Sequence, residues 1–405
     1  MKKKIPKLLV ATEFPPNASG GGPSVVRQML KDWPTDRLSW WSCVPDNDQR
    51  FRQFTASHRV AAIPQKLQPQ IRFSKLKSSL LHAFWVPWAT LHFRRTLEIE
   101  KPDVVWVIPH DWSILPIGKV LLGSKPKAKL SLPPFHVSVH DYADAHHRAD
   151  KFGEFCCQSI VTTAERLYKA SATRDVISHP MLVDLFEKTG QPATQILRAG
   201  LESEDLELLD HKTSSQHKVI KIAYAGTIIV EEVFSMFIEA LKQVRPSIKK
   251  PLELHFFGAH SYAGRKWFDN EWMKEHGNLR EDELLNELRV CDWGFSPMAL
   301  TDEDPRYNRF SLPTKFITYL AAGLSVITLG HPESSLIKIA RCYEVGLCSC
   351  TTNPDELAEQ LRTVLSYSAP WEYFKSEIIR CAQTEFNAET MRSKLYECLG
   401  QTIMT

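Results

Sequence analysis

Residues 309–327, RFSLPTKFITYLAAGLSVI, carry the strongest structural signal in this sequence. Ser311 is predicted to cap a helix, and Pro313 suits the first helical position, where a missing N–H costs nothing. Four apolar residues recur at helical spacing, namely Phe316, Ile317, Tyr319 and Leu320. Gly323 is expected to end the helix. The apolar run from Val326 to Leu329 then predicts a buried parallel strand.

Lys315 is the unusual residue of this segment. It falls in the first helical turn, where the helix dipole and the unpaired N–H groups favour an anion. No acidic residue lies in that turn, and Arg306 and Arg309 stand just upstream. Two interpretations remain open: a solvated lysine, or a cation that binds a phosphate group.

The pattern of Ser311, Pro313, Lys315, Tyr319 and Gly323 followed by an apolar strand resembles the donor-phosphate segment of GT-B glycosyltransferases, of the kind grouped with family 4. In those enzymes the helix N-terminus and the lysine hold the diphosphate of a nucleotide sugar. The resemblance implies a nucleotide-sugar substrate as donor.

Two segments of the first half support the same resemblance. The first strand is followed by Glu13 and by a glycine-rich loop with Gly20, Gly21 and Gly22, which permits close backbone approach to a ligand. A flexible surface loop is the alternative. The strand at 135–139 runs into His140 and Asp141, which the resemblance makes candidates for contact with the transferred sugar or the acceptor. A local turn with a solvated histidine is the alternative there.

The resemblance also assigns roles in the second half. Donor diphosphate binding would involve Gly226, Thr227, Arg309, Ser311, Thr314 and Lys315. Nucleoside binding would involve Gly258, Asn278, Leu279 and Thr318. A helix end with a lysine can stabilise a leaving diphosphate without a metal. No Asp-x-Asp motif stands at a strand end, so we expect neither a metal nor a cofactor.

Two departures from the family pattern concern the donor. Many relatives carry an Arg and a Lys after the first strand of the second domain, whereas residues 226–232 here read GTIIVEE. Relatives also carry a ribose-binding glutamate where this sequence has Thr318. Lys315, Arg309 or Arg306 would therefore have to balance the negative charge of the donor diphosphate.

The composition is that of an ordinary globular protein, with 405 residues, 43% hydrophobic and 24% charged. There is no run of eighteen apolar residues, and the start of the chain lacks the pattern of a signal peptide. Nine cysteines without regular spacing predict reduced thiols and a cytoplasmic location. Dispersed charge without a reading motif argues against nucleic-acid binding.

The charge is divided unequally along the chain. Residues 1–200 hold 28 Lys and Arg against 17 Asp and Glu, a net charge of +11, and the remainder carries −8. Residues 71–95 are basic, aromatic and predicted to be helical. This segment either rests on an anionic membrane face at the inner membrane, where a lipid-linked acceptor would be found, or packs its aromatic residues on the sheet. We favour packing for most of them.

Alternating strand and helix patterns predict an α/β fold with two Rossmann-like doubly wound domains that face each other across a cleft (GT-B). The expected layout is an acceptor-side domain at 1–205, a linker at 206–217 and a nucleotide-sugar domain at 218–380. Residues 381–405 form a C-terminal helix that could pack back on the first domain.

The predicted function is a glycosyltransferase that moves a hexose from a nucleotide-diphosphate sugar to a glycan or glycolipid acceptor. It would be metal-independent, would retain anomeric configuration and would act in surface polysaccharide biosynthesis. If the reaction instead inverts configuration, Asp141, Asp111 and Glu13 are the candidate bases. A sugar-nucleotide epimerase or hydrolase on the same fold, or an inactive binding protein, are the alternatives.

Overall fold

A computed structural model describes residues 5–18, 21–46, 55–68, 73–123, 132–143, 152–212, 218–304, 306–367 and 369–404. Contacts divide the chain into two compact units, Met1–Arg198 with Thr390–Thr405, and Ala199–Glu389. The sequence had suggested a first boundary at 205/206, and the contacts place it seven residues earlier, at 198/199. Gly20 lies outside the described residues.

The first unit alternates strands and helices. In chain order it contains β1 (Leu8–Ala11), α1 (Gly21–Met29), β2 (Leu38–Ser42), β3 (Ser57–Val60), α2 (Ser74–Leu80), a π-helical turn (Leu81–Trp85), α3 (Val86–Glu100), β4 (Val104–Val107), α4 (Ile114–Leu121), β5 (Phe135–Val139), α5 (Glu154–Ala170), β6 (Thr173–Val176), α6 (His179–Thr189) and β7 (Gln195–Ile196).

These strands form a parallel sheet, seven-stranded within the described residues, in the order β3-β2-β1-β4-β5-β6-β7. β1 pairs with β2 on one side and with β4 on the other, and Val10 is opposite both Trp40 and Trp106. The strand order changes direction between β1 and β4. β4 pairs in parallel with both β1 and β5, so the carboxyl ends of these three strands lie side by side. In doubly wound sheets ligands bind at such strand ends.

The second unit continues the alternation. It contains α7 (Ser203–His211), β8 (Ile220–Ala225), α8 (Glu231–Val244), β9 (Leu252–Phe257), β10 (Met273–Glu275), α9 (Glu281–Arg289), β11 (Trp293–Pro297), α10 (Thr314–Ala321), β12 (Ser325–Leu329), α11 (Ser335–Tyr343), β13 (Cys348–Ser349), α12 (Pro354–Leu365) and α13 (Pro370–Glu385). The final helix, α14 (Ala388–Met404), starts here and continues into the first unit.

The sheet of the second unit is also parallel, six-stranded within the described residues, in the order β10-β9-β8-β11-β12-β13. Val326 and Ile327 of β12 are fully buried and pair with Gly294 and Phe295 of β11. The α/β class and the parallel sheets predicted from the sequence are therefore confirmed.

The helix of the opening segment differs from expectation at its start. α10 begins at Thr314, and Pro313 occupies the N-cap position without a side-chain hydrogen bond, so Ser311 is not the cap. Pro313 is extended (ψ 122°) rather than helical. The end agrees with the prediction, because Gly323 adopts a left-handed conformation (φ +64°) directly after the helix.

The segment predicted as a polar linker is in part a packed helix. α7 covers residues 203–211, and its Leu206 and Leu209 are buried in the core of the second unit. Lys212 then donates hydrogen bonds to the carbonyls of Ala322 (2.8 Å) and Gly323 (2.7 Å). A cation is favourable at the carboxyl end of α10. Residues 213–217 lie outside the described residues.

The last helix, α14, packs on the first unit. Its Met391, Leu395 and Leu399 belong to the same buried cluster as Val10 and Trp40. Across the described residues, no helix combines the length and the apolar character needed to cross a bilayer. All nine cysteines are free thiols.

Gly294 lies where β11 meets α10. A Cβ at this position would stand 2.5 Å from two ring carbons of the buried Tyr319. We therefore expect Gly294→Ala to lower the free energy of unfolding by about 1–3 kcal/mol through overpacking.

Urea denaturation provides the measurement. Gly264→Ala is the control, because a Cβ there meets nothing within 4 Å. Equal stability of the two variants would contradict this account of the β11–α10 contact.

Candidate active site

In the second unit, the loops after β8, β9 and β10 lie side by side at the carboxyl edge of the sheet. Gly226 donates its N–H to Phe257 O (2.7 Å), and Gly258 donates to Gly277 O (2.9 Å). A Cβ on Gly258 would lie only 3.2 Å from Gly226 O, so the first two loops touch through their backbones. Gly226 has φ +93°, a conformation that favours glycine, and it is exposed at this edge although its N–H is bonded to Phe257 O.

Lys315 lies in the first turn of α10, the helix that follows β11. Its Nζ donates a hydrogen bond to the hydroxyl of Tyr224 (2.8 Å), at the end of β8. That hydroxyl in turn donates to Thr227 O (2.7 Å). Of the described residues, none places a carboxylate within ion-pair distance of Lys315. Burial lowers the pKa of Lys315 to about 7, which makes it a partly charged group that an anion would stabilise in the charged form.

Three tyrosines hold this edge together, and sequence reasoning assigned none of them to the site. Besides Tyr224, Tyr319 of α10 accepts a hydrogen bond from the Ala225 N–H (2.8 Å). Tyr262 accepts from the Ile228 N–H (3.0 Å). An apolar-periodic strand or helix does not reveal where a phenol group points, so the sequence held no signal for these contacts.

The two arginines upstream of α10 are both engaged by acids. Arg309 donates through Nε to Asp302 Oδ2 (2.9 Å), and Arg306 pairs with Asp304 (2.9 Å). Arg309 is the principal reason that the pKa of Asp302 lies below its usual range. The loop before α10 therefore supplies a counterion for each arginine, and a role of Arg309 at the donor diphosphate stays a prediction.

The other predicted donor residues occupy the same edge with different exposure. Thr314 is the exposed first residue of α10, and Ser311 is half-buried before it. Thr318 Oγ1 donates to Thr314 O (3.2 Å), a bond within the helix. Asn278 is exposed in the loop after β10, and Leu279 packs against the core.

In the first unit, the ends of β1 and β4 bring Glu13, His110 and Asp111 together. Glu13 Oε2 accepts the N–H of Trp112 (2.8 Å), and its carbonyl accepts the N–H groups of Cys43 (3.0 Å) and Val44 (3.1 Å). His110 Nδ1 lies 3.4 Å from Asp111 Oδ2. Sequence reasoning named the two acids but missed His110, although it stands next to Asp111 at a strand end.

The protonation states in this cluster depend on burial. Burial, and then the charge of Asp111, raise the pKa of Glu13 to about 8. Burial lowers the pKa of His110, but Asp111, Glu13 and Asp141 outweigh it and raise that pKa to about 9. Near pH 7 Glu13 is therefore mostly a neutral acid that can donate a hydrogen bond, which makes it unsuited to act as a base.

His140 and Asp141 follow β5, the strand beside β4. Burial lowers the pKa of His140, against the opposing charges of Asp175 and Asp141. A neutral imidazole can accept a proton. At the start of α1, Gly21 and Gly22 are the first two helical residues and are partly buried.

Glu13, His110 and Asp111 are also the described residues that could hold a cation. Each offers one ligand atom, and these atoms lie within 4.8 Å of one another. Two carboxylates with one imidazole suit a divalent ion. The expectation of a metal-free reaction stays a prediction.

Glu13 should make stability depend on pH. Folding raises the pKa of this carboxyl group from 4.5 to about 8. Such a group contributes stability at low pH, and this contribution is lost as the pH rises to the pKa of the folded state. As the pH rises from 4.5 to about 8, the free energy of unfolding of the wild type should decrease relative to that of Glu13→Gln. The decrease should reach up to about 1.4 kcal/mol per pH unit.

Urea denaturation at a series of pH values measures this difference. The exposed Glu154 offers a matched control as Glu154→Gln. A wild-type-minus-variant difference that stays constant with pH would show that Glu13 is not perturbed.

No protein-family model matches the sequence, and neither does any curated protein. Solved structures nevertheless resemble the chain over nearly its full length. HepE from Anabaena, in complex with UDP and glucose, has a TM-score of 0.65 at 12% identity, covering 97% of this chain and 99% of HepE. Sucrose-phosphate synthase from Thermosynechococcus elongatus has a TM-score of 0.67 at 13% identity, with 98% of each chain covered.

A third similar structure is WaaG, a glycosyltransferase involved in lipopolysaccharide biosynthesis. It has a TM-score of 0.62 at 12% identity, covering 97% of this chain and 99% of WaaG. At these identities the likeness concerns the fold alone. The chain has the GT-B fold, as its sequence had predicted.

Proposed function

We propose that this protein of GT-B fold is a glycosyltransferase that uses a nucleotide-diphosphate sugar as donor. The observation that carries the proposal is Lys315, a cation at a helix N-terminus with a phenol rather than a carboxylate as its partner. The exposed residues Gly226 and Thr227 follow Tyr224 directly and are joined to Lys315 through the Tyr224 hydroxyl. Phosphate oxygens are the ligands that such an arrangement binds.

The chemistry follows from charge. When the bond between the sugar and the diphosphate breaks, negative charge develops on the leaving diphosphate. The N-terminus of α10 and protonated Lys315 would stabilise that charge. The diphosphate would contact Gly226, Thr227, Ser311 and Thr314. Arg309 would contact the diphosphate only after its ion pair with Asp302 breaks.

The nucleoside would lie along the loops after β9 and β10, against Gly258, Asn278 and Leu279. Thr318 stands where the resembling family has a glutamate, so its hydroxyl would replace a carboxylate at the ribose. UDP is the first nucleotide to test, since HepE is seen with UDP. Structural likeness at 12% identity supports this choice without deciding the base.

The acceptor belongs, in this proposal, to the first unit. Its hydroxyl would bond to the sugar carbon as the diphosphate leaves, and His140 and Asp141 would contact the acceptor. If the reaction inverts configuration, the proton of that hydroxyl would pass to Asp141 or Asp111, because Glu13 is mostly protonated near pH 7. We further propose a glycan or lipid-linked acceptor of surface polysaccharide biosynthesis at the cytoplasmic membrane face, with retention of configuration. WaaG, which is described as involved in lipopolysaccharide biosynthesis, and the positive charge of residues 1–200 support the choice of acceptor.

A thermal-shift panel of nucleoside diphosphates and nucleotide sugars tests the donor site, because a ligand specific for the folded state raises the apparent stability. We expect at least one pair of a sugar nucleotide and its diphosphate to stabilise the protein. Product analysis with and without acceptor then separates transfer from hydrolysis or epimerisation. Binding without turnover would indicate an inactive binding protein, and no binding at all would overturn the proposal.

A further inference from the structure

α3 in the first unit has apolar residues on two opposite faces. One face is buried in the domain through Val86, Ala89, Phe93 and Leu97. The other face is exposed: Phe84, just before α3, is 70% exposed, Trp88 48%, Leu91 47% and Ile99 58%. Their spacing of four, three and eight residues keeps them on one side of a helix. A surface helix of a globular protein normally presents polar residues there.

Further exposed apolar side chains lie at the start of α2 and at the start of α5. Phe73 is 63% exposed and Leu76 59%. Phe155, at the start of α5, is 69% exposed and is brought to the π-helical turn by a ring contact with His82 (4.9 Å). We call Phe84, Trp88, Leu91 and Ile99 the outer face of α3. Exposed apolar side chains grouped on one face of a helix in this way indicate a binding site.

The charge around the outer face has one dominant sign. Residues 49–97 contain no Asp or Glu and nine Lys and Arg. Within the described part, Lys66, Lys75, Arg94 and Arg95 are exposed. Two exposed acids also occur in this part of the chain, Glu98 next to Ile99 and Glu154 next to Phe155. An apolar face bordered by cations complements a surface that is anionic outside and apolar inside.

We infer that the outer face of α3 docks on an anionic phospholipid bilayer, with Phe84, Trp88 and Leu91 inserted at the headgroup level and Arg94 and Arg95 against the lipid phosphates. Aromatic side chains favour this interface, and basic residues near it add electrostatic attraction. This docking rests on the proposed function, because its role would be to bring the enzyme to a membrane-borne acceptor. None of the donor-site residues takes part, so that each proposal can fail without the other.

Flotation of the full-length protein with vesicles tests the inference. Vesicles of phosphatidylcholine alone are compared with vesicles that also contain phosphatidylglycerol. We expect binding only to the anionic vesicles, weakened by salt because exposed charges are screened. The triple variant Phe84→Gln, Trp88→Gln, Leu91→Gln should reduce the bound fraction at least about tenfold, given the apolar area it removes from the interface.

The matched control is Val183→Gln with Phe186→Gln on α6, which removes two equally exposed apolar side chains (51% and 52%) elsewhere in the same unit. A second variant, Arg94→Glu with Arg95→Glu, should lose binding to anionic vesicles while keeping every apolar residue. The midpoint of thermal unfolding, measured on each variant without ligand, shows whether the fold persists.

Three results would overturn the inference. The first is that wild-type protein does not float with anionic vesicles. The second is that the triple variant and the charge-reversal variant float as well as the wild type. Sedimentation equilibrium showing a dimer that the triple variant abolishes, with no lipid binding, would assign the outer face to a second copy of this chain. Loss of flotation in the charge-reversal variant, with an unchanged midpoint of thermal unfolding, supports docking.

Discussion

Lys315→Met should abolish most of the nucleotide binding of this protein. Removing one partner of a desolvated, hydrogen-bonded charge pair costs about 2–5 kcal/mol, so the Kd for UDP or the cognate nucleotide is expected to rise by at least about 30-fold. Methionine keeps the length and the apolar contacts of the lysine stem, and it leaves the hydrogen bond from Tyr224 to Thr227 O in place. Isothermal titration calorimetry measures the effect.

The same interaction predicts a pH dependence of binding. The pKa of Lys315 is about 7 without ligand, and a bound diphosphate favours the ammonium form. Above the pKa of Lys315, nucleotide binding must therefore be accompanied by uptake of a proton. Affinity should fall as the pH rises from about 7 to 9. The ligand does not cause this change, because a phosphate with a second pKa near 6 stays ionised over that range. Lys315→Arg should bind with little pH dependence, because a guanidinium stays charged.

Lys242→Ala is the matched control, since Lys242 is an exposed lysine on α8 in the same unit. It should leave the Kd and its pH dependence unchanged. If Lys315→Met bound nucleotide as tightly as Lys242→Ala does, the donor-site assignment would be wrong, whatever the fold.

Asp175→Ala should be the most destabilising single substitution considered for the first unit. Asp175 Oδ2 lies 2.6 Å from His136 Nε2, accepts the Ser138 hydroxyl, and both ionisable side chains are fully buried. Trp106 Nε1 donates to Ser138 Oγ (2.7 Å) and extends the network to β4. Alanine would leave a buried imidazole and a hydroxyl without their partner, which costs about 3–5 kcal/mol.

Chemical denaturation followed by circular dichroism measures this loss. Asp175→Asn retains one acceptor oxygen and should be destabilised less. Glu239→Ala, on the exposed face of α8, should change stability by no more than about 0.5 kcal/mol. A loss below about 1 kcal/mol for Asp175→Ala would mean that water replaces the carboxylate at this site.

Much of the local structure could be predicted from the sequence. The alternation of apolar strands and amphipathic helices is a periodic signal, and it identified the α/β class and the parallel sheets. Gly323 was correctly taken as the end of a helix, because a left-handed residue is needed there. Ser311 was wrong as the cap, since Pro313 in extended conformation takes that position and Thr314 starts the helix.

Contacts between residues far apart in the chain could not be predicted from the sequence. Tyr224 and Lys315 are 91 positions apart, and Arg309 finds Asp302 only because the loop before α10 folds back. The exposure of Phe84, Trp88 and Leu91 was also missed, because an apolar residue predicts burial regardless of which side of the helix it occupies. The sequence favours burial for most aromatic residues of segment 71–95, which holds for Trp85 and Phe93 but is wrong for Phe73, Phe84 and Trp88.

The sequence by itself determined the order of strands and helices, the parallel sheets and the position of Lys315 in the first turn of a helix, since these depend on neighbouring residues and on periodicity. Only the tertiary structure decided which cations already have counterions, that Glu13 is held protonated beside Asp111, and that α3 turns a second apolar face outward. Charge state and exposure depend on what packs around a side chain in space, and residues far apart in the chain supply that environment.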